Sequence, residues 1–224
     1  MDLKKLNKDD PLDRMAEKSA DTEGMSPMDP PDAYSPPSTE DVAYDTMHPF
    51  LQELMDDHKR LIAQMTTFEE ALQQIQTSGL SNETGQTLRN SFQFFEENFV
   101  VHNRKEEVGF FPLLKRRLIE RGEHGTTAER KTGVDVMQND HTRAVQLAAV
   151  ACSFFGLAVR LPDEQSRMLT LSRAVQQSKD LIEHVRLHIF REETILFGFA
   201  NNHFSAEELD QLQTSVETET GKPA

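Results

Sequence analysis

One ten-residue segment is written twice in this chain, and this repeat constrains the fold more than any other feature. Residues 102–111 read HNRKEEVGFF and residues 188–197 read HIFREETILF, so that His, a basic residue, Glu, Glu and Phe fall at the same offsets. An Asp-His pair lies upstream of each copy, and its histidine is His58 in the first half and His141 in the second. A repeated unit of this kind predicts a fold built from two related halves.

Apolar residues recur at three- and four-residue steps through most of the chain, which is the pattern of amphipathic helices. This periodicity predicts four long helices and a short last helix, at about 47–79, 82–121, 134–160, 163–200 and 206–214. Pro112 lies inside the second helix and should kink it, because proline removes a backbone hydrogen bond. No segment alternates for long enough to predict a strand. The expected fold class is all-α, an antiparallel four-helix bundle.

Composition divides the chain into three parts. Residues 1–44 are rich in Pro, Asp, Ser and Met, which predicts a disordered acidic tail that could dock to a protein partner. Residues 45–204 hold the bundle domain, and residues 205–224 form a short helix and a C-terminal tail. Residues 1–46 carry 12 acidic and 5 basic side chains and residues 205–224 carry 5 and 1, so the net charge of −14 leaves only −3 for the rest. The absence of a basic stripe excludes nucleic acid as an expected partner.

The sequence predicts a cytoplasmic protein without a membrane segment. Its N-terminus, MDLKKLNKDD, lacks the apolar region of a signal peptide. The most apolar run, residues 144–159, is shorter than the roughly 20 residues that a membrane-spanning helix needs. The single cysteine, Cys152, lies in that run, and a lone buried thiol suits a reducing compartment.

The third predicted helix is apolar on nearly all sides. We interpret it as a central, buried helix of the bundle. An apolar tunnel and a contact between subunits are the alternatives.

The repeat points six side chains into the bundle. In each decamer the His and the first Glu are four positions apart, which puts them about 40° apart on one side of a helix. With the histidines of the Asp-His pairs they form a set of candidate metal ligands: His58, His102, Glu106, His141, His188 and Glu192. Glu107 and Glu193 are rotated by about 140° from their histidines and should face elsewhere, in solvent or as supporting groups.

Four imidazoles and two carboxylates cannot satisfy one another in an apolar core, because a buried carboxylate disfavours charge unless it is paired. A metal resolves this conflict, since it binds neutral imidazole and carboxylate together. Six protein ligands exceed what one zinc takes, and this donor set suits iron. Two bridging carboxylates leave two imidazoles for each of two irons. The predicted cofactor is therefore a pair of iron ions (Fe2+/Fe3+), bridged by an oxo or hydroxo group.

Other metal and phosphate sites are excluded by their missing motifs. No histidine has a Glu three residues before it, as ferritin-like sites require, and H-E-x-x-H, Cys-x-x-Cys and a Gly-rich phosphate loop are absent. A single H-x-x-x-E pair is usually an exposed structural pair. The repetition of the full pattern, with an upstream histidine in each half, favours the metal site.

These segments resemble the hemerythrin-like, HHE cation-binding family, over about residues 47–203. The resemblance implies that the six candidates ligate a non-haem di-iron centre, with Glu106 and Glu192 as carboxylate bridges. The oxygen-carrying hemerythrins of invertebrates have a second His four residues along in the third helix, where this chain has Met137 and Val145 around His141. The ligand pattern is closer to the bacterial di-iron proteins of nitrosative stress and iron-centre repair.

The resemblance implies reversible binding or sensing of dioxygen or nitric oxide at the iron centre. The sequence offers no general base or nucleophile beyond the ligands, so a binding protein is favoured over an enzyme and no catalytic residue is predicted. The alternatives are an oxidoreductase that acts on nitric oxide or peroxide and an iron donor or store.

His184 lies four residues before His188, on the same side of the fourth helix, and is a possible extra ligand. Its counterpart in the first half is Asn98, so the repeat gives no reason for a histidine there. We expect a supporting or surface role for it.

Overall fold

The computed structural model describes residues 42–125, 128 and 130–220 of the chain. Residues 1–41 of the predicted tail lie outside the described residues, and the division of the chain into three parts stays a proposal. Within the described residues there are helices and no strands, which confirms the predicted all-α class. None of these helices is long and apolar enough to cross a membrane.

Within the part of the chain that the structure describes, eight α-helices follow one another: α1 (Pro49–Ser78), α2 (Asn82–Phe94), α3 (Val100–Lys105), α4 (Phe111–Glu120), α5 (Gly133–Ala158), α6 (Glu164–Arg191), α7 (Gly198–His203) and α8 (Ala206–Thr220). Three π-helical segments join some of them without a break: π1 (Phe95–Phe99), π2 (Glu106–Phe110) and π3 (Glu192–Phe197). The second long helix of the bundle is therefore residues 82–120, and the fourth is residues 164–203. A 3-10 turn, Tyr44–Thr46, precedes α1.

Local capping interactions set the ends of these helices. His48 is the N-cap of α1, where its Nδ1 accepts a hydrogen bond from the Phe50 N–H at 3.3 Å. Capping boxes open α2 at Ser81 and α5 at Thr132. Gly79 ends α1 with φ at 80°, a left-handed conformation that glycine adopts without a steric penalty.

Two apolar clusters show that neighbouring helices of the bundle run antiparallel. The first joins the start of α1 to the ends of the second and fourth helices and to the start of α5, through residues that include Leu51, Phe111, Phe197 and Val134. The second joins the end of α1 to the starts of the second and fourth helices and to the end of α5, through residues that include Leu72, Leu88, Val175 and Phe155. α5 packs along α6, and α1 packs against α2 and α6. The predicted four-helix bundle is therefore confirmed.

The π-helical segments are the main departure from the predicted helices. Pro112 lies in the first turn of α4, directly after π2, and the Phe111 N–H donates to the carbonyl of Glu106 five residues back. A wider turn before the proline allows the helix to restart where the ring is tolerated. The register shift in π2 thus accommodates the proline, and the helix continues through this point.

The last helix is longer than predicted and completes the core. α8 extends to Thr220, where the sequence predicted an end near residue 214. Its apolar face is buried in the first cluster through Leu209, Leu212 and Val216. A Cβ on Gly109 of π2 would lie 2.7 Å from Cγ2 of Val216, so glycine lets α8 approach this helix closely.

Two expectations about the third helix were wrong. α5 buries one face, which includes Ala144, Ala151 and Phe155, but its opposite face is exposed. Cys152 lies on the exposed face, so the thiol is not buried. The uncharged run at residues 144–159 suggested burial on all sides, whereas the bundle covers only the side that carries Ala144, Ala151 and Phe155.

A glycine pair tests the packing of α8. We expect Gly109→Ala to lower the free energy of unfolding by about 1–3 kcal/mol, because the new methyl group overlaps the stiff side chain of Val216. The control is Gly85→Ala in α2, where the nearest atom, Nη1 of Arg89, is 3.8 Å away. This control should raise the free energy by about 0.5–1 kcal/mol through helix propensity. Urea unfolding that shows equal effects for both variants would contradict this account of the packing.

Candidate metal centre

The six candidate ligands form a buried polar layer between the two apolar clusters. In α1, for example, His58 lies between Leu54 of the first cluster and Leu61 of the second. Each of the six residues is at most 3% exposed, and the set is His58, His102, Glu106, His141, His188 and Glu192. The four helices of the bundle each contribute at least one of them.

Ligand atoms of these residues fall into two groups, each within 4.8 Å. The first group is His58, His102, Glu106 and Glu192. The second group is Glu106, His141 and His188. Glu106 belongs to both groups, so one carboxylate connects two places that could each hold a cation.

Both carboxylates contact histidines of both groups. Oε1 of Glu106 lies 3.0 Å from Nε2 of His102, and its Oε2 lies 3.3 Å from Nε2 of His141. Oε2 of Glu192 lies 3.3 Å from Nε2 of His58 and 3.5 Å from Nε2 of His188. This geometry fits two carboxylates that each bridge a pair of metal ions.

If the imidazoles at the centre were all neutral, their nitrogen atoms could not satisfy one another. Nδ1 of His58 lies 2.9 Å from a carboxylate oxygen of Glu193, and a carboxylate only accepts, so Nδ1 carries the proton. Nδ1 of His102 likewise faces Asp57, at 3.4 Å. In these neutral tautomers the two Nε2 atoms, 3.0 Å apart, direct lone pairs at each other. A shared proton or a cation between them removes this repulsion.

Several buried atoms of the layer have no hydrogen-bond partner among the described residues. They are both oxygens of Glu106 and of Glu192, Nε2 of His141, and both ring nitrogens of His188. Unpartnered buried carboxylate oxygens are costly in an apolar core. These atoms converge on one region, which fits a metal site, because imidazole nitrogen and carboxylate oxygen are common ligands of metal ions in proteins.

In the first half, the aspartate of the Asp-His pair supports a histidine on the neighbouring helix. Asp57 faces Nδ1 of His102, and Lys105 donates to the same carboxylate at 2.9 Å. Lys105 also donates to Glu53 at 2.8 Å, and Arg60 contacts Asp57 from the surface. The buried lysine therefore fixes the aspartate that orients His102. Burial raises the pKa of Asp57, but its bonds to His102 and Lys105 outweigh this and hold the pKa well below the usual value.

The second half repeats this arrangement with a longer contact. Oδ2 of Asp140 lies 3.9 Å from Nδ1 of His188, which is beyond hydrogen-bond distance. Nη1 of Arg191 donates to the same oxygen at 3.2 Å. Arg191 takes the place that Lys105 has in the first half, three residues after the histidine.

The second glutamate of each decamer supports a histidine of an Asp-His pair. Nδ1 of His58 donates to Glu193 at 2.9 Å, and Nδ1 of His141 donates to Glu107 at 2.8 Å. The sequence left open whether these glutamates are solvated or supporting. They support the histidines of the opposite half while remaining partly exposed.

The phenylalanine that ends each decamer stacks on the histidine that the second glutamate of that decamer supports. Phe111 lies on the ring of His141, with centroids 5.5 Å apart, and Phe197 lies on the ring of His58 at the same distance. In an uninterrupted α-helix, a residue nine positions after a histidine would be about 180° from it. The extra residue accommodated by a π turn removes about one step of 100°, which brings the phenylalanine back towards the centre.

The repeat in the sequence thus corresponds to a repeated set of contacts. In each decamer the histidine and first glutamate face the centre, and the basic residue holds the aspartate that supports that histidine. The second glutamate and the phenylalanine hold a histidine of the other half. Sequence reasoning missed the roles of Asp57, Asp140, Lys105 and Arg191, although their matched offsets in the two halves were a usable signal.

Charge in the layer is balanced by protons on imidazole. Burial lowers the pKa of His102, but Glu106 and Asp57 outweigh it and raise the value to about 10. Burial also lowers the pKa of His141, but Glu106 outweighs this effect and raises the value to about 9. Burial raises the pKa of Glu106, but His102 and His141 outweigh this effect and hold the pKa well below the usual value. Burial, with Glu106 nearby, raises the pKa of Glu192, and burial lowers that of His188 well below normal. A metal that binds here competes with these protons.

The remaining histidines lie away from the layer. Nε2 of His184 donates to the backbone carbonyl of Asp140 at 2.9 Å, and His184 belongs to neither group of candidate ligands among the described residues. It braces the segment that carries Asp140 and His141. His124 lies in the loop before α5, where its Nδ1 contacts the Gly125 carbonyl.

The two kinds of glutamate should differ in their effect on metal affinity. We expect Glu106→Gln to abolish binding of the second metal, because the bridging charge is lost while the shape is kept. Glu107→Gln should retain both metals and weaken affinity by about 10–100-fold, as is typical when a group that orients a histidine is changed. Titration of the metal-free variants with Fe2+ measures this difference. A larger effect at Glu107 would mean that the two roles have been exchanged.

His184→Ala tests the role of the extra histidine. Since this ring binds a backbone carbonyl, we expect unchanged metal content and optical spectrum, with a loss of about 1 kcal/mol in the free energy of unfolding. His124→Ala, in the loop, is the control and should change neither. A changed spectrum for His184→Ala alone would make His184 a ligand.

Comparison with known families agrees with this geometry. The model of the hemerythrin HHE cation-binding domain matches residues 50–200, a segment that contains all six candidate ligands. A search of curated proteins gave no significant match. The matched segment is well over half of the chain, and its family is defined by cation binding. The chain therefore belongs to the hemerythrin HHE cation-binding domain family.

Proposed function

We propose that the buried layer binds two iron ions and that this di-iron centre reversibly binds or senses dioxygen or nitric oxide. The observation that carries the proposal is the pair of ligand groups that share Glu106, with Glu192 in contact with histidines of both. One metal ion would be bound by only one of the two groups, whereas two metal ions would be bound by all six residues. His58 and His102 would serve one iron, and the histidines of the second half the other.

The number of donors supports a binding role. Each iron would receive two imidazoles and one oxygen from each bridging carboxylate, which is four protein donors. Iron that accepts about six donors would have room beside these four for a small exogenous ligand. Ferrous iron, when bound, supplies an electron-rich site for a diatomic gas.

The surrounding side chains restrict what can reach the centre. Phe99 packs edge-on against His141 and His188, with centroid distances of 6.1 and 6.2 Å. Phe111 and Phe197 stack on the rings of His141 and His58, as described above. Aromatic rings exclude water and larger solutes, and they hold the imidazoles in place without competing as ligands.

This environment favours binding over turnover. The carboxylates of Asp57, Glu107 and Glu193 are each engaged by an imidazole N–H, which makes them orienting groups rather than free bases. An oxidoreductase acting on nitric oxide or peroxide and an iron donor or store are the competing functions. We propose the cytoplasm as the location, because the single cysteine, Cys152, is a free thiol, which suits a reducing compartment.

Gas titration of the iron-loaded protein tests the proposal. Protein loaded with Fe2+ under anaerobic conditions should change its optical spectrum when nitric oxide or dioxygen is added, and the spectrum should return when the gas is removed. The Glu106→Gln variant should lose the change, and His124→Ala should keep it. Steady consumption of gas with product release would favour an oxidoreductase instead, and iron transfer to an apo-acceptor would favour a donor.

A further inference from the structure

The exposed face of α5 carries an apolar stripe at regular spacing. Its members follow one another at steps of four, three, four and three residues, which is the spacing of a coiled-coil seam. They are Val145, Ala149, Cys152, Gly156 and Val159. Val145 is 44% exposed and Val159 is 62% exposed, so the bundle does not cover the ends of the stripe. No charged residue occurs between Arg143 and Arg160.

A surface helix without charge on its outer face is unusual for a monomer that is otherwise acidic. Beside the stripe, a groove of about 540 Å³ runs between α5 and the start of α2. Its walls include Leu88 and Phe92 from α2, Cys152 from α5 and Val159 directly after α5, and Arg89 also lines it. The stripe and the groove therefore form one continuous and mainly apolar surface, which we name the α5 face.

We propose that the α5 face binds the α5 face of a second copy of this chain, with the two α5 helices antiparallel and a two-fold axis at Cys152. Val145 and Val159 lie seven residues before and seven residues after Cys152. A two-fold axis there places Val145 of one copy against Val159 of the other, at the edge of the groove. Such an interface uses the same patch twice, as most symmetric dimers do.

The side-chain sizes along the stripe fit this arrangement. Small residues, Ala149 and Gly156, lie on either side of Cys152 and allow close approach of the two helices, while valines at the ends fill the wider gaps. The charges also agree. The net charge of −14 opposes association over most of the surface, but the stripe is neutral. At its flank Arg160 of one copy would lie near the neutral Gln146 of the other.

The size of the surface limits the strength of the contact. The stripe spans 15 residues, 145–159, which is about 21 Å from first to last, and a helix is about 10 Å wide. Even with the groove, this area is below the roughly 800 Å² per partner of a standard interface. We therefore expect a reversible dimer with a dissociation constant in the micromolar range.

Sedimentation of the full chain, loaded with iron, tests the proposal across protein concentrations of about 1–200 µM. The expected mass rises from 25.5 kDa towards twice that value. Val145→Glu should raise the dissociation constant by about 100-fold or more, because the two-fold axis buries the new charge twice. Val150→Glu is the matched control: Val150 is 41% exposed on the same helix but about 140° from the stripe, and should leave the dimer intact.

A short bismaleimide that joins two thiols gives a second readout. The parent chain and Val150→Glu should be cross-linked through Cys152, and Val145→Glu and Cys152→Ser should not. Iron content and circular dichroism confirm that each variant is folded. A parent chain that stays monomeric at every concentration overturns the proposal, as does a dimer that Val145→Glu leaves unchanged. Protection of the α5 amides in a monomer would mean that another segment covers the face, which also overturns it.

Discussion

Two buried carboxylates that find no hydrogen-bond partner in residues 42–125, 128 and 130–220 lie in the middle of a helical bundle, and the rest of the structure depends on how their charge is balanced. Glu106 and Glu192 are fully buried between two apolar clusters. An apolar interior tolerates such groups only beside positive charge. Protonated imidazoles such as those of His102 and His141 supply part of it, and bound metal cations would supply more. The arrangement is thus a cation site held together by the apolar clusters above and below it.

The charge balance continues outward from this layer to the surface. Three of the four histidines at the centre direct Nδ1 at a carboxylate within hydrogen-bond distance, whereas Nδ1 of His188 lies 3.9 Å from Asp140. Asp57 and Asp140 are in turn held by Lys105 and Arg191. The two halves are not equivalent. The aspartate contact is 3.4 Å in the first half and 3.9 Å in the second, where His184 binds the Asp140 backbone. The aspartate of the second half therefore holds His188 less tightly than Asp57 holds His102.

The sequence predicted the helices and the convergence of six side chains, because periodicity and matched offsets report which residues share a face. It could not predict the π-helical segments, since their wider turns interrupt that periodicity at Glu106 and Glu192 themselves. The roles of Phe111 and Phe197 depend on this register shift and were missed for the same reason. The burial of α5 was predicted wrongly, because hydropathy reports what a helix tolerates and not which neighbours cover it. The length of α8 was missed because only three apolar residues anchor it.

The central claim is that one buried layer holds two metal ions that share carboxylates. Its most direct test is the iron content of the parent chain after anaerobic loading and removal of loosely bound metal, combined with X-ray absorption at the iron edge. The account predicts two iron ions per chain, with nitrogen and oxygen donors and an iron neighbour in the scattering. A single metal ion per chain in fully folded protein, with no metal neighbour, would contradict it.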